Sequence, residues 1–262
     1  WVRWCSGRDL DPVTAPLVDI SNFLSELASS GLVYRTINNF RSAISAGHSP
    51  VEGHPVGAHP LVSKLLRGIR FSNPPQPKYS TLWDVNVVLR FLNRWPDNSD
   101  LSRRQLSAKL TFLLCLISCK RVSDVKALDL TGRVFSPDGV LFNIRKRTKT
   151  NVRCVHYPAF PDNYKLCVVR CLKEYEDVTR ALRQDAGGQL LISLQKPFKP
   201  VASATLARWV KGLLAEAGID VSVFGAHSVR GAMASKAFVL GSRLDDIMRT
   251  ADWSVESTFR NF

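Results

Sequence analysis

Apolar residues recur along this chain mostly three and four positions apart, a spacing that predicts helices over most of its length. Residues 16–31, PLVDISNFLSELASSG, form the first helix, closed by Gly31. Residues 34–47, YRTINNFRSAISAG, form the second. Ile37, Phe40 and Ile44 share one side of it, while Arg35, Asn38 and Arg41 lie largely on the other. Residues 59–72, HPLVSKLLRGIRFS, give a third. Three prolines within NPPQPK, residues 73–78, then impose a stiff extended stretch. Beyond it, residues 82–92 and 102–118 predict two more helices. The period changes over residues 140–160, where two β-rich runs flank a basic turn and predict a hairpin. Helical spacing resumes over 166–182, 204–218, 227–241, 244–253 and 254–262.

The expected fold is therefore mainly α with a small β-sheet, an α+β chain in two domains. Residues 1–73 make a small helical bundle that lacks its own beginning, since the chain starts at Trp1. Residues 74–80 are the linker, and residues 81–262 form a mixed but helix-rich domain. A chain of 262 residues, 45% of them hydrophobic, can bury a core in each. The longest apolar run, residues 110–117, is far too short to span a bilayer, and no signal-peptide pattern opens the sequence.

Charge narrows the function. Lys and Arg number 36 against 22 Asp and Glu, a formal charge of +14, and an excess of that kind acts on polyanionic partners, usually nucleic acid. No long basic amphipathic helix points to a membrane surface. The six cysteines include no CxxC; Cys115 and Cys119, like Cys167 and Cys171, sit four apart in apolar segments as core residues do. A reducing, intracellular setting follows. His48, His54 and His59 share a loop that has neither cysteine nor helical spacing, so no metal site is expected there.

The candidate chemistry is basic. His227 and Arg230 sit three apart in GAHSVRGAMASK, with Val229, Met233, Ala237 and Leu240 pointing elsewhere, so the His–Arg face should be left open. An arginine fork at a helix start suits phosphate oxygens. Arg121 follows directly on the apolar helix of residues 102–118, and Asp124, three residues on, is placed to hold its guanidinium. Lys149 lies in the hairpin turn RKRTKT beside Arg145 and Arg147, where a flexible amine can swing over a ligand. Each pattern alone is common on protein surfaces. A helix-end charge, a solvated turn and a core tryptophan at Trp253 are the bland readings.

The ordered set Arg121, Lys149, His227, Arg230, Trp253 resembles the tyrosine recombinases, the phage-integrase and Cre-like enzymes that break and rejoin DNA at specific sites. The stretch RTKT around Lys149 and the pattern HSxR at His227–Arg230 are similar to that family's own. The wording of YRTINNFRSAIS and ADWSVESTFRNF looks closest to recombinases of DIRS-type and Ngaro-type eukaryotic retrotransposons. The resemblance spans both domains and implies a helical, SAM-like core-binding domain before the catalytic one. It also implies Arg35, Asn38, Arg41, Arg145 and Arg147 as DNA contacts. In such an enzyme a tyrosine attacks the scissile phosphate and leaves a 3′-phosphotyrosyl bond, without metal, nucleotide or other cofactor. Arg121 and Arg230 would clamp the non-bridging oxygens, Lys149 would protonate the departing 5′-oxygen, and His227 would position or accept the nucleophile's proton. Trp253 would donate its indole N–H to the phosphate. The implied partner is double-stranded DNA, the full-length assembly a homotetramer on paired sites, and the compartment the nucleus.

The pattern breaks at the nucleophile. None of the five tyrosines, at 34, 79, 157, 164 and 175, follows the His–Arg helix, and Phe262 stands nine residues beyond Trp253, where the family's tyrosine is expected. Either phenylalanine replaces it, or the chain is cut just before a tyrosine that follows Phe262. As written, the chain should bind DNA without cleaving it through a tyrosine. The alternatives to an enzyme part are a DNA-binding relic of such a recombinase, or a type IB topoisomerase with similar pocket chemistry.

Overall fold

The computed structural model describes residues 1–74, 81–144, 154–183 and 188–259. The chain divides into two compact units, residues 1–78 and 79–262.

The first unit is helical. Helices α2 (Leu17–Ser29), α3 (Tyr34–Gly47) and α4 (Pro60–Ser72) fall where the three-and-four spacing places them, and a short α1 (Val2–Ser6) precedes them. The apolar side of each turns inward: Ile20, Phe23, Leu24, Ile37, Ile44, Val62 and Leu66 form one core. Gly31, at φ +84°, lies just past α2 in a conformation that costs glycine least. The histidine loop works as structure. Both ring nitrogens of the buried His48 face carbonyl oxygens, those of Ser49 at 2.7 Å and Ala15 at 3.0 Å. His59 Nδ1 accepts the Leu61 amide at the start of α4, while its Nε2 meets Glu52.

The second unit is organised around α6 (Arg103–Ser118), whose side chains are buried almost all round from Leu106 onward. That explains its unbroken apolar run, LTFLLCLI: a helix surrounded by neighbours needs no polar face. A capping box starts it, with the Gln105 amide donating to Ser102 Oγ and the Ser102 amide to Gln105 Oε1. Around it pack α8 (Val168–Thr179), α9 (Ser203–Glu216), α10 (Ser228–Val239) and the strand β3 (Cys154–Pro158). Helix α5 (Val85–Asn93), capped by Asp84, leans on α10, and α11 (Leu244–Ala251) closes that side before the short α12 (Glu256–Phe259).

The sheet is antiparallel, in the order β1 (Arg133–Ser136), β2 (Gly139–Asn143), β3. β2 and β3 pair Val140 with Tyr157 and Phe142 with Val155, which puts the apolar members of both on the core side. This is the hairpin expected over residues 140–160; its connecting turn lies outside the described residues. β1 was not expected. It is a short, mostly exposed edge strand, RVFS, with too little alternation to announce itself. Gly139 is required where β2 begins, because a Cβ there would collide with the Tyr157 carbonyl oxygen.

Candidate functional site

The described candidates of the second unit, Arg121, Asp124, His227, Arg230 and Trp253, are set by two tight turns and one helix start. The first turn follows α6. Cys119 takes a left-handed conformation, φ 48°, that stops the helix, and a new helix, α7 (Val122–Lys126), starts three residues later with Arg121 as its N-cap. Arg121 is thus the first residue of a new direction rather than the last of α6. Buried Asp124 accepts the Arg121 amide at 3.1 Å, while the guanidinium Nη1 stands 3.9 Å from the same carboxylate. Asp124 therefore holds the backbone of Arg121 more tightly than its head group.

The second turn follows α11. Asp252 is also left-handed, φ 50°, and it delivers Trp253 into a small apolar cluster with Cys119, Ala234, Ile247 and Ala251. The helix start is that of α10. His227 is its N-cap and is exposed, whereas Ser228, Val229 and Arg230 are buried. Trp83, just before α5, donates its indole N–H to Ser228 Oγ at 2.9 Å, and Ser228 Oγ donates to the Gly225 carbonyl. This pair pins the helix start in place. The small residues Gly231, Ala232 and Ala234 are buried along the rest of the helix and let it lie close against its neighbours.

The expectation of an open His–Arg face needs correcting. Only His227 is exposed; Arg230 is 2% exposed, because α10 is enclosed on the side that carries it. Its Nη2 donates to the Ala251 carbonyl, and its Cζ lies 4.8 Å from the centre of the Trp253 ring, a cation–π contact. The Nε and Nη1 groups of Arg230, and Nη1 of Arg121, are buried and have no hydrogen-bond partner among the described residues. Burial first, and the Arg121 charge second, push the Arg230 guanidinium down to about 10, against the opposing pull of Asp124, Cys119 and Asp252. Two cations with open donors stand within each other's field, an arrangement able to receive an anion with several oxygens.

Lys120 and Asp252, which nothing in the spacing singles out, belong to the same place: Lys120 Nζ meets Asp252 Oδ2 at 2.5 Å, with Lys120 only 7% exposed. The pairing spans 132 positions, out of reach of any local pattern.

Other candidates fall elsewhere or outside the description. Lys149, Arg145, Arg147 and Phe262 lie outside the described residues. In the first unit Arg35 is exposed, but Arg41 donates to Asn38 Oδ1 from Nε and Nη2 and to the Gly57 carbonyl from Nη1. Asn38 and Arg41 thus brace each other. They share a cleft with Tyr34, Ser63, Arg67 and Arg70, and α4 contributes the two arginines that the reading of α3 alone omits. Among the described tyrosines, Tyr157 and Tyr175 are sealed in the core, where burial raises both phenols, and Tyr164 is hydrogen-bonded to Asp97. A cavity of about 920 Å³ elsewhere in the second unit, between α6 and α9, is lined by Trp95, Arg104, Lys199, Arg208 and Trp209 among others, and none of the candidate residues lines it.

No protein-family model and no curated protein matches the sequence. Solved structures do. XerH site-specific recombinase, in a post-cleavage complex with its palindromic difH substrate, superposes with a TM-score of 0.65 at 17% identity, over 94% of this chain and 67% of that one. The Tn1549 transposon integrase bound to circular-intermediate DNA gives 0.59 at 12% identity, over 96% and 81%. A lambda integrase dimer on a COC′ core site gives 0.53 at 15% identity, over 92% and 80%. The chain, across both of its units, has the fold of the tyrosine recombinases and integrases.

Proposed function

We propose that this chain is the DNA-binding and catalytic part of a tyrosine recombinase that breaks and rejoins DNA to integrate a mobile element, one of the DIRS or Ngaro type. The observation that carries the reading is the arginine pair: Arg230 and Arg121 are neighbours in charge and hold buried N–H groups without acceptors among the described residues. A scissile phosphodiester supplies two non-bridging oxygens in one plane, the acceptor that a guanidinium fork fits. Negative charge grows on those oxygens as the nucleophile adds, so donors fixed beforehand favour the transition state over the ground state. The Ala251 carbonyl and the Trp253 ring fix Arg230, and Asp124 fixes the backbone of Arg121.

The remaining roles are those that the resemblance to the tyrosine recombinases implies. A tyrosine oxygen attacks phosphorus and displaces the 5′-oxygen, leaving a 3′-phosphotyrosyl bond. His227, exposed at the start of α10, positions or takes the tyrosine proton, and Lys149 gives a proton to the leaving oxygen. Attack by the 5′-hydroxyl of a second strand reverses the step and conserves the bond. Duplex DNA is the partner, Arg35, Asn38, Arg41, Arg145 and Arg147 contribute contacts, and paired sites call for a homotetramer of the full-length protein acting in the nucleus. Support for this assembly comes from the lambda integrase, solved as a tetramer on a Holliday junction.

The second reading is a DNA-binding protein of the same fold that no longer cuts. The phenylalanine at 262, nine residues beyond Trp253, favours it. Selection from a random duplex pool supplies a bound site. A nicked duplex of that sequence is then offered to the chain with tyrosine placed at 262 or directly after it. A protease-sensitive, detergent-resistant protein–DNA adduct supports the enzyme; tight binding without an adduct in either variant supports the binder.

A further inference from the structure

The ion pair of buried Lys120 with half-buried Asp252 has no part in the chemistry proposed above, yet it stands one residue from Arg121 on one stretch of chain and one residue from Trp253 on the other. We infer that this ion pair is the positioning clip of the phosphate site: it ties the turn that presents Arg121 to the turn that presents Trp253 and, through Trp253 and Ala251, Arg230. The inference rests on the reading of Arg121 and Arg230 as a phosphate clamp.

Three observations carry it. Both joined turns are left-handed at residues other than glycine, Cys119 at φ 48° and Asp252 at φ 50°. Such backbone persists where surrounding contacts over-determine it, and a charged hydrogen bond of 2.5 Å between the two turns is such a contact. Next, Arg230 grips the second turn by its backbone, at the Ala251 carbonyl, and by its ring, at Trp253. Any shift of residues 251–253 relative to residues 119–121 therefore changes the spacing of the two guanidiniums. Finally, Cys119 and Trp253 lie in one small apolar cluster, whose contacts are adaptable and set no fixed distance between the turns. The ion pair is the directional element in an otherwise greasy joint. It is also neutral as a unit, so it adds no net charge to the site, although Asp252 itself pulls on the Arg230 charge.

That neutrality makes the inference testable. Replacing Asp252 alone leaves the buried Lys120 charge unpaired and risks the fold. The double substitution Lys120→Met with Asp252→Gly removes both charges together, and glycine accepts the left-handed backbone at 252. Inorganic phosphate is titrated into the full chain, and the Arg Nε–H signals are followed by NMR alongside the melting temperature. The wild type should show saturable shifts that Arg121→Gln weakens. The double variant should melt within a few degrees of the wild type yet bind phosphate roughly ten-fold more weakly, the ratio that corresponds to about 1.4 kcal/mol. Reversing the pair, Lys120→Asp with Asp252→Lys, should restore part of the affinity if it folds. A folded double variant that binds phosphate as tightly as the wild type overturns the clip. If instead the wild type and Arg121→Gln respond alike, the phosphate clamp itself is wrong, which is a different failure.

Discussion

Arg230 occupies a position that packing alone would give to leucine or methionine. Its charge is kept there at a cost that appears as the depression of its guanidinium to about 10. The sign of the linkage follows from that direction. Below about pH 10 the residue is protonated in folded and unfolded chains alike, so the burial cost is borne in full and stability does not vary with pH through Arg230. Between about 10 and the ordinary arginine range the unfolded chain binds more protons, and only there does rising pH relieve the cost. At neutral pH an anion is what relieves it. Phosphate should therefore raise the melting temperature beyond chloride at matched ionic strength, by the equivalent of about 2.7 kcal/mol at a hundred times its dissociation constant. Arg121→Gln should lose most of that increment; equal shifts in both proteins would count against the site. Burial acts on the thiols in the same way. Cys115 and Cys171 are pushed up to about 12 and Cys119 to about 11, while Cys154 is exposed at the start of β3. Iodoacetamide at pH 8 should label Cys154 alone in the native protein, as peptide mass spectrometry would reveal; rapid labelling of Cys119 would mean that the turn before Arg121 is open.

Among the elements, the long helices were legible because each has a spacing that buries one side, and α6 because its apolar run has no polar side at all. Its start was marked too: Ser102 and Gln105 form the capping box that their spacing allows. Ser102→Ala should cost about 1 kcal/mol in a denaturant titration, with the fold otherwise kept; no change would mean that the box does not hold the helix start. Two short elements were not legible, although α12 and the strands β2 and β3 were. α7 has five residues and β1 four, lengths at which periodicity carries little signal, and packing against α9 and β2 makes them. Missing α7 is why Arg121 read as the residue that follows α6 when it is the N-cap of α7. The burial of Arg230 was missed for a related reason. The spacing of α10 tells which residues share a side, but not that α5, α6 and α11 together enclose most of the helix.

For the molecule as a whole, the residues proposed to carry the chemistry were readable as an ordered set, while the Lys120–Asp252 contact between their turns was not. Arg121, His227, Arg230 and Trp253 could be named in order; Lys120 and Asp252 could not, because only the fold brings them together. The formal charge of +14 extends the same argument to the partner, since a polyanion gripped at several phosphates releases counterions from each. Binding to a selected duplex should weaken steeply with salt, with log K falling linearly against log salt at roughly 0.9 per phosphate neutralised. The most direct test of the central claim, that Arg121 and the buried Arg230 receive a DNA phosphate, is that slope measured for the wild type and for Arg121→Gln. A slope shallower by about one in the variant, with affinity lost evenly across duplex sequences, is the predicted result. An unchanged slope would contradict it, because Arg121 would then touch no phosphate.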